Sequence, residues 1–297
     1  MRQFAVIDAP SMLGVGPTGV EELPTALKAA GLMLALDASY VGRVDVPPYN
    51  PVRDAATSLM NPHEVREFAL RLADAIGETL NKGLFPLVLG GDCSIELGTA
   101  LALRRRGRYG LFFLDGHADF YQPQPDADDN EAQISSMELA LITGYGPDLL
   151  TNIDGLKPYF RETDVTLFGI RDAEEAARDG SPDVRESSMH IFDLAKVRQL
   201  GVAEAARSAL NPLLSDGLQG FWIHLDADVL SDSIMPAVDW RVPGGGLTFA
   251  ELSHILRLLL VSGRAVGMSV TILNPRLDSD GSIVRDFVAC LVDGMTA

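Results

Sequence analysis

Only two cysteines, Cys93 and Cys290, occur among the 297 residues. That is too few for a disulfide framework, so a reducing, cytoplasmic setting is expected. Basic residues are also scarce: 24 lysines and arginines stand against 41 aspartates and glutamates, a net charge of -17. Nucleic-acid binding needs a clustered basic surface to neutralise phosphates, so no nucleic-acid partner is expected. The single basic cluster, Arg104, Arg105, Arg106 and Arg108, closes a helical pattern, where cations complement the helix dipole. No apolar run approaches the ~20 residues needed to span a bilayer. The N-terminus, from Met1 to Asp8, lacks the apolar region and cleavage site of a signal peptide and reads as a first strand.

Alternating strand and helix patterns fill the chain. Short apolar strands are expected at Phe4–Ile7, Leu84–Leu89, Leu111–Leu114, Val165–Phe168, His190–Phe192, around Phe221 and at Ala265–Ile272. Helices are expected over Glu21–Leu36, where Leu23, Leu27, Ala30 and Leu34 share a face, and over Pro62–Leu80, Ile95–Arg106, Met137–Thr143, Val202–Leu214 and Ser282–Val292. Thr248 and Glu251 have capping-box spacing ahead of a helix bearing Leu252, Ile255, Leu256 and Leu259. No linker divides the chain. The pattern implies one doubly wound α/β domain on a mainly parallel sheet, with functional groups at the carboxyl ends of its strands.

Two segments carry the chemistry. Leu111–Leu114 is followed by Asp115, His117 and Asp119 at alternate positions, and Phe221–Ile223 by His224, Asp226 and Asp228. Period two would place each set on one side of its strand. Side by side, the two strand ends would gather four carboxylates that cannot all stay ionised without a cation, so they read as a metal site. Gly14, Gly16 and Gly19 match a dinucleotide fingerprint as a string, but the loop begins several residues after the strand and Pro17 removes a donor, which favours a turn. The acidic segment Gln122–Ser136 reads as a solvated loop or as a lid over the site.

In order, Gly90-Gly91-Asp92-Cys93-Ser94, Asp115-Gly116-His117-Ala118-Asp119, Asp226-Ala227-Asp228 and Pro243-Gly244-Gly245-Gly246-Leu247 resemble the ureohydrolase family of arginase, agmatinase and formimidoylglutamase. That family carries GGDHS, DAHxD and DxDxxDP motifs and a GGL turn. The resemblance implies a three-layer α/β/α fold of about eight strands over residues 1–297, two manganese ions, and hydrolysis of a C–N bond in a linear guanidine or amidine by a metal-bridging hydroxide. Asp115 and Asp226 would bridge the metals; Cys93 and Asp119 would complete one site, His117 and Asp228 the other. The resemblance also implies a homo-oligomer, trimer or hexamer.

The departures from the family pattern bear on function. Cys93 replaces the first metal-ligating histidine, and a thiolate favours zinc or iron over manganese. Ile272 falls where the guanidinium-binding glutamate belongs, so a substituted guanidine such as N-hydroxyarginine competes with arginine and agmatine as substrate. Ser135 or Ser136 stands near the place of a proton-shuttling histidine; His224 is the candidate to supply that proton or is a core histidine. Ser231 replaces the third aspartate of DxDxxDP, with Asp232 one place later. Glu174 matches an acidic residue near the substrate's ammonium group, and Asp239 and Trp240 replace a small-residue turn. Two alternatives remain: a single-metal, deacetylase-like amide hydrolase using Asp115, His117 and Asp226, and a catalytically silent ligand-binding protein.

Overall fold

The computed structural model describes residues 2–123 and 132–296. Among these, eight strands form one sheet: β1 (Phe4–Ala9), β2 (Ser39–Arg43), β3 (Phe85–Gly90), β4 (Gly110–Leu114), β5 (Val165–Phe168), β6 (His190–Phe192), β7 (Phe221–Asp226) and β8 (Ala265–Thr271). Their order is β2-β1-β3-β8-β7-β4-β5-β6, and every pairing is parallel. The central strands are apolar on both faces because helices cover both. Phe112 and Leu114 of β4 join the side that holds Leu252, Ile255 and Phe287. Leu111 and Phe113 join the side that holds Val65, Phe68 and Leu72. Each such side chain, taken from water, contributes about 1.5–3 kcal/mol, an upper figure because unfolded chains are partly collapsed.

The order places β3, β8, β7 and β4 next to one another at the centre. The chain leaves these strands at Gly91, Ile272, Ala227 and Asp115. All four exits lie along one edge, where an open α/β sheet presents its crevice.

Three expectations need correction. The helix expected over Glu21–Leu36 is broken into Leu23–Ala29 and Leu32–Ala35 by Gly31, whose φ is 94°. The break rotates Leu34 out of the shared face and leaves it 89% exposed. Strand β2 was not expected because Ser39, Tyr40 and Gly42 carry no apolar alternation; it is an exposed edge strand held by pairing with β1. The helix expected over Val202–Leu214 stops at Leu210 and continues as a tighter turn through Pro212, which lacks the N–H an α-helix needs. The capping box forms at Thr248 and Glu251 as expected. Residues 124–131 of the Gln122–Ser136 acidic segment lie outside the described residues.

The arginine cluster is consumed by the fold. Arg104, Arg105 and Arg106 occupy the last turn of Glu96–Arg106. Arg105 pairs with Asp74 and Asp154, and Arg108 grips the buried Asp164 through two 2.7 Å bonds. Among the described residues, no helix is long and apolar enough to cross a membrane.

Candidate metal centre

The loop after β3 is built to a tight tolerance. A Cβ at Gly91 would sit 1.7 Å from the carbonyl oxygen of Ser11, so only glycine lets the two backbones pass. Asp92 is wholly buried and accepts from the Gly14 and Ser94 amides and from the Ser11 hydroxyl. The Gly14 loop is therefore a turn tied to Asp92. Cys93 follows at the mouth of β3, 1% exposed.

Beyond Leu114 the β4 chain is no longer a strand, so the period-two expectation for Asp115, His117 and Asp119 does not hold. Asp119 has φ 46°, in the left-handed region that aspartate tolerates. The loop is shaped by local bonds: Asp115 Oδ1 accepts from the His117 amide at 2.7 Å, and Asp228 Oδ1 accepts from the Gly116 amide at 2.9 Å. On β7, His224 and Asp226 lie within the strand, whereas Asp228 belongs to the turn Ala227–Val229. Asp226 Oδ1 accepts from the Asp228 amide at 2.8 Å, which caps that turn.

These elements bring Cys93, Asp115, His117, Asp119, Asp226 and Asp228 together. Cys93 Sγ donates to Asp226 Oδ2 at 2.8 Å, and His117 Nδ1 lies 2.7 Å from Asp228 Oδ2. Among the described residues, two groups have ligand atoms within 4.8 Å of one another: Cys93, Asp115, Glu138 and His224; and Asp115, His117 and Asp228. Asp115 belongs to both. Asp226 and Asp119 are in neither, Asp226 engaging Cys93 and Asp119 in carboxyl–carboxyl contact with Glu138. A cavity of about 170 Å³ opens over Cys93, His117, Asp119, Asp226 and Asp228, with Ile272 and Trp240 on its wall.

Burial pushes the Asp115 and Asp226 carboxyls well above their ordinary range, and the Asp228 charge adds to this. Glu138 is raised by burial and by Asp119. Asp119 is pushed up to about 7, burial outweighing the pull of His117. Burial would lower the His117 pKa, but the charge and hydrogen bond of Asp228 outweigh it and hold the imidazole at about 10. Burial would likewise raise Asp228, yet His117 draws it down to about 2. The Cys93 thiol is raised by burial and by four surrounding carboxylates.

The fit to divalent cations can be tested on these atoms. Among the described residues, Asp115 Oδ2 and His224 Nε2 are buried without a hydrogen-bond partner, and no N–H or hydroxyl donates to either oxygen of Glu138. Burying such groups unpaired costs about 1–3 kcal/mol each, and more when charged. Oxygen, imidazole and thiol donors facing one another with lone pairs unused are the partners a cation requires. The residues fit.

Over residues 2–295 the chain matches the sequence profile of the Arginase family. The chain belongs to that family. It is 30% identical to the arginase of Bacillus caldovelox over 299 residues, covering 98% of this chain and 97% of that one. To the arginase of Staphylococcus aureus strain COL it is 29% identical over 298 residues, covering 97% and 95%. The structure of the Bacillus caldovelox arginase superposes with a TM-score of 0.89 at 28% identity, covering 100% of this chain and 99% of that one.

Within this arginase-family frame, several expected residues sit apart from the cluster's open face. His224 is fully buried behind the carboxylates, its ring stacked on Phe113, and it does not line the cavity. Glu174 is on the exposed helix Ala173–Arg178 and lines a neighbouring cavity of about 400 Å³; Asp172 and Glu175 line both that cavity and the metal centre's, and Asp179 lines the latter. Ser135 and Ser136 line that cavity too, Ser135 Oγ donating to the Gly14 carbonyl. Ser231 Oγ lies 3.0 Å from Ser233 Oγ, and Asp239 accepts from Asn274. Ile272 has φ 69°, held by its amide on the Gly91 carbonyl at 2.8 Å. A β-branched residue there is strained by about 1–3 kcal/mol.

Glu138, Glu96 and Asp172 were not anticipated as parts of the site. A signal existed for two of them. Glu138 is the sole charge in Ile134–Ile142, and Glu96 is a lone acid opening the apolar run to Leu103. A carboxylate surrounded by apolar neighbours on a buried helix needs an explanation beyond solvation.

Proposed function

We propose that this protein is a metal-dependent ureohydrolase that cleaves a C–N bond of a linear guanidine or amidine, of the arginine, agmatine or N-hydroxyarginine type. The observation that carries this reading is the convergence of Asp115, Asp119, Asp226 and Asp228 with Cys93 and His117 beneath one cavity. Asp115 and Asp226 would hold both cations, with Cys93 and Asp119 on one and His117 and Asp228 on the other. When bound, such cations supply Lewis acidity and bring a water molecule's pKa toward neutrality. Manganese is the family expectation; the Cys93 sulfur favours zinc or iron(II).

The chain's own residues select the substrate. Asp172, Glu175 and Asp179 ring the cavity with negative charge, which draws in a cationic ammonium or guanidinium group. Ile272 presents no carboxylate to a guanidinium, so that group must be held by Asp119 or the rim, or be less basic than arginine's. Trp240, half on the surface and half on the cavity wall, narrows the entrance. Glu174 is retained as a contact for the far end of a longer substrate. The two donor groups that share Asp115 support two cations over the single-metal alternative. A trimer or hexamer and a cytoplasmic setting go with this reading, and the two free, buried cysteines fit a reducing compartment.

The test is a panel of guanidino and amidino compounds incubated with manganese-, zinc- or iron-loaded protein, with release of urea, hydroxyurea or formamide measured. Turnover that chelation abolishes and metal restores supports the reading. A metal-loaded protein inert toward the whole panel contradicts it.

A further inference from the structure

His224 stands two residues before Asp226 on β7, and both its ring nitrogens have defined surroundings. Nδ1 is 3.2 Å from Glu96 Oε1 and 3.3 Å from Ser269 Oγ. Ser269 in turn donates to Glu96 and accepts from Trp222 Nε1, so the carboxylate is fixed from behind. With a carboxylate at Nδ1, the proton of a neutral ring belongs there, and the lone pair belongs to Nε2. Nε2 faces Asp115 Oδ2 at 3.8 Å and Glu138 Oε1 at 4.0 Å, and it has no hydrogen-bond partner among the described residues.

A lone pair aimed at two carboxylate oxygens is repulsive unless a cation or a proton lies between them. All three groups are fully enclosed, so water does not screen the repulsion. Cys93 Sγ completes the set within the same 4.8 Å. Ligands about 2.0–2.3 Å from a shared cation lie roughly 3–4.5 Å from one another, and the 3.8 and 4.0 Å separations at Nε2 fall in that range. A ligating histidine commonly gives its other N–H to a carboxylate, which fixes the tautomer and raises the basicity of the ring.

We propose that Cys93, Asp115, Glu138 and His224 form a cation site in which His224 supplies the imidazole that the chain lacks at residue 93. Glu96 is a positioning residue that holds the tautomer. One sulfur, one nitrogen and two carboxylates suit zinc or iron(II) better than manganese. On binding, Cys93 gives up its thiol proton to solvent and breaks its bond to Asp226. The inference deepens the metal-dependent reading and rests on it: on the Cys93 cation, His224 and Glu138 take the place given above to Asp119, while Asp226, released from the thiol, stays the bridge to the second cation.

The test strips wild type and the variants His224→Gln, Glu138→Gln and Glu96→Gln with chelator, then titrates each with cobalt(II). Cations per chain and the near-ultraviolet thiolate-to-cobalt absorption are measured. Wild type should take two cobalt ions and show the thiolate band. His224→Gln and Glu138→Gln should each lose one ion and the band while keeping the second ion. Glu96→Gln should weaken that site about 10–100-fold. Without metal, Glu138→Gln should melt at or above the wild-type temperature, because it removes a buried carboxylate, so it decides the matter alone if His224→Gln fails to fold. Two ions and an unchanged band in Glu138→Gln overturn this inference and leave the hydrolase reading standing. A wild type that takes up no cation overturns both.

Discussion

The Cys93 thiol and the Asp226 carboxylate are 2.8 Å apart at the mouths of two strands that are not neighbours; β8 runs between them. Burial first, and the carboxylates Asp226, Glu138, Asp119 and Asp115 after it, keep the metal-free thiol protonated. It then serves as a hydrogen-bond donor. Replacing it by imidazole changes both the proton balance and the metal preference. Cys93→His should raise manganese affinity at least tenfold relative to zinc and remove the thiolate absorption of the cobalt form. Unchanged affinities, measured by competitive titration, would place Cys93 outside the ligand set.

Among the described residues, Asp115 accepts from the His117 amide alone, leaving Oδ2 without a partner, and Asp226 is engaged by Cys93. If both hold two cations, loss of either empties the site. Asp115→Ala and Asp226→Ala should each bind less than one cation per chain and lose at least a thousandfold in kcat/KM, with the fold intact by circular dichroism. Full activity in either variant would sink the two-cation mechanism.

The metal-free protein should have an unusual dependence on pH. Asp115, Asp226 and Glu138 are raised by burial, and Asp119 to about 7. A carboxyl raised in the folded state contributes stability that is present below its unfolded pKa, near 4, and is lost as pH rises through the folded value. The His117–Asp228 pair behaves differently. Asp228, lowered to about 2, stabilises above pH 4 and loses that only as pH falls toward 2; His117, raised to about 10, stabilises below pH 6.5 and loses that as pH rises through 10. Between pH 5 and 8 the carboxyls dominate. The melting temperature of metal-free protein should therefore fall across that window, and saturating divalent cation should abolish the fall. A metal-free melting temperature that rises from pH 5 to 8 would contradict this charge arrangement.

Ile272 faces the cavity in a strained conformation at the end of β8. Ile272→Glu removes the β-branch and adds the anion that a guanidinium partner lacks. It should lower KM for arginine or agmatine by about tenfold while lowering stability by about 1–3 kcal/mol in the absence of substrate, since a carboxylate is then buried unpaired. An unchanged KM would mean that guanidinium groups do not reach this wall.

Thr248 and Glu251 form a capping box, and neither residue lines the metal centre's cavity. Thr248→Ala should cost about 1 kcal/mol in chemical denaturation. Metal content should stay at the wild-type level, which makes this variant a control separating stability from site chemistry.

Much of this architecture was legible in residue patterns. Buried strands such as Leu111–Leu114 announce themselves as apolar runs ending in acidic or glycine residues, and β4 and β7 pair directly, which unites the two aspartate motifs. Elements held by context were not legible. β2 carries exposed residues and exists because β1 offers an edge, and Gly31 breaks a helix whose apolar spacing looked continuous. The site followed the same division. Cys93, Asp115, His117, Asp119, Asp226 and Asp228 stand in recognisable strings. Glu138 and Glu96 meet His224 only through tertiary packing, from helices 42 residues apart at their first residues. No local spacing encodes that meeting. Glu174 and Glu175 show the converse, since one step along a helix decides whether a residue reaches the metal centre's cavity.

The measurement closest to the centre of this account is the metal content of protein purified without chelator, by elemental analysis per chain. The account predicts about two divalent cations, with zinc or iron represented because of Cys93. No bound metal, even after incubation with excess manganese and zinc, would contradict it.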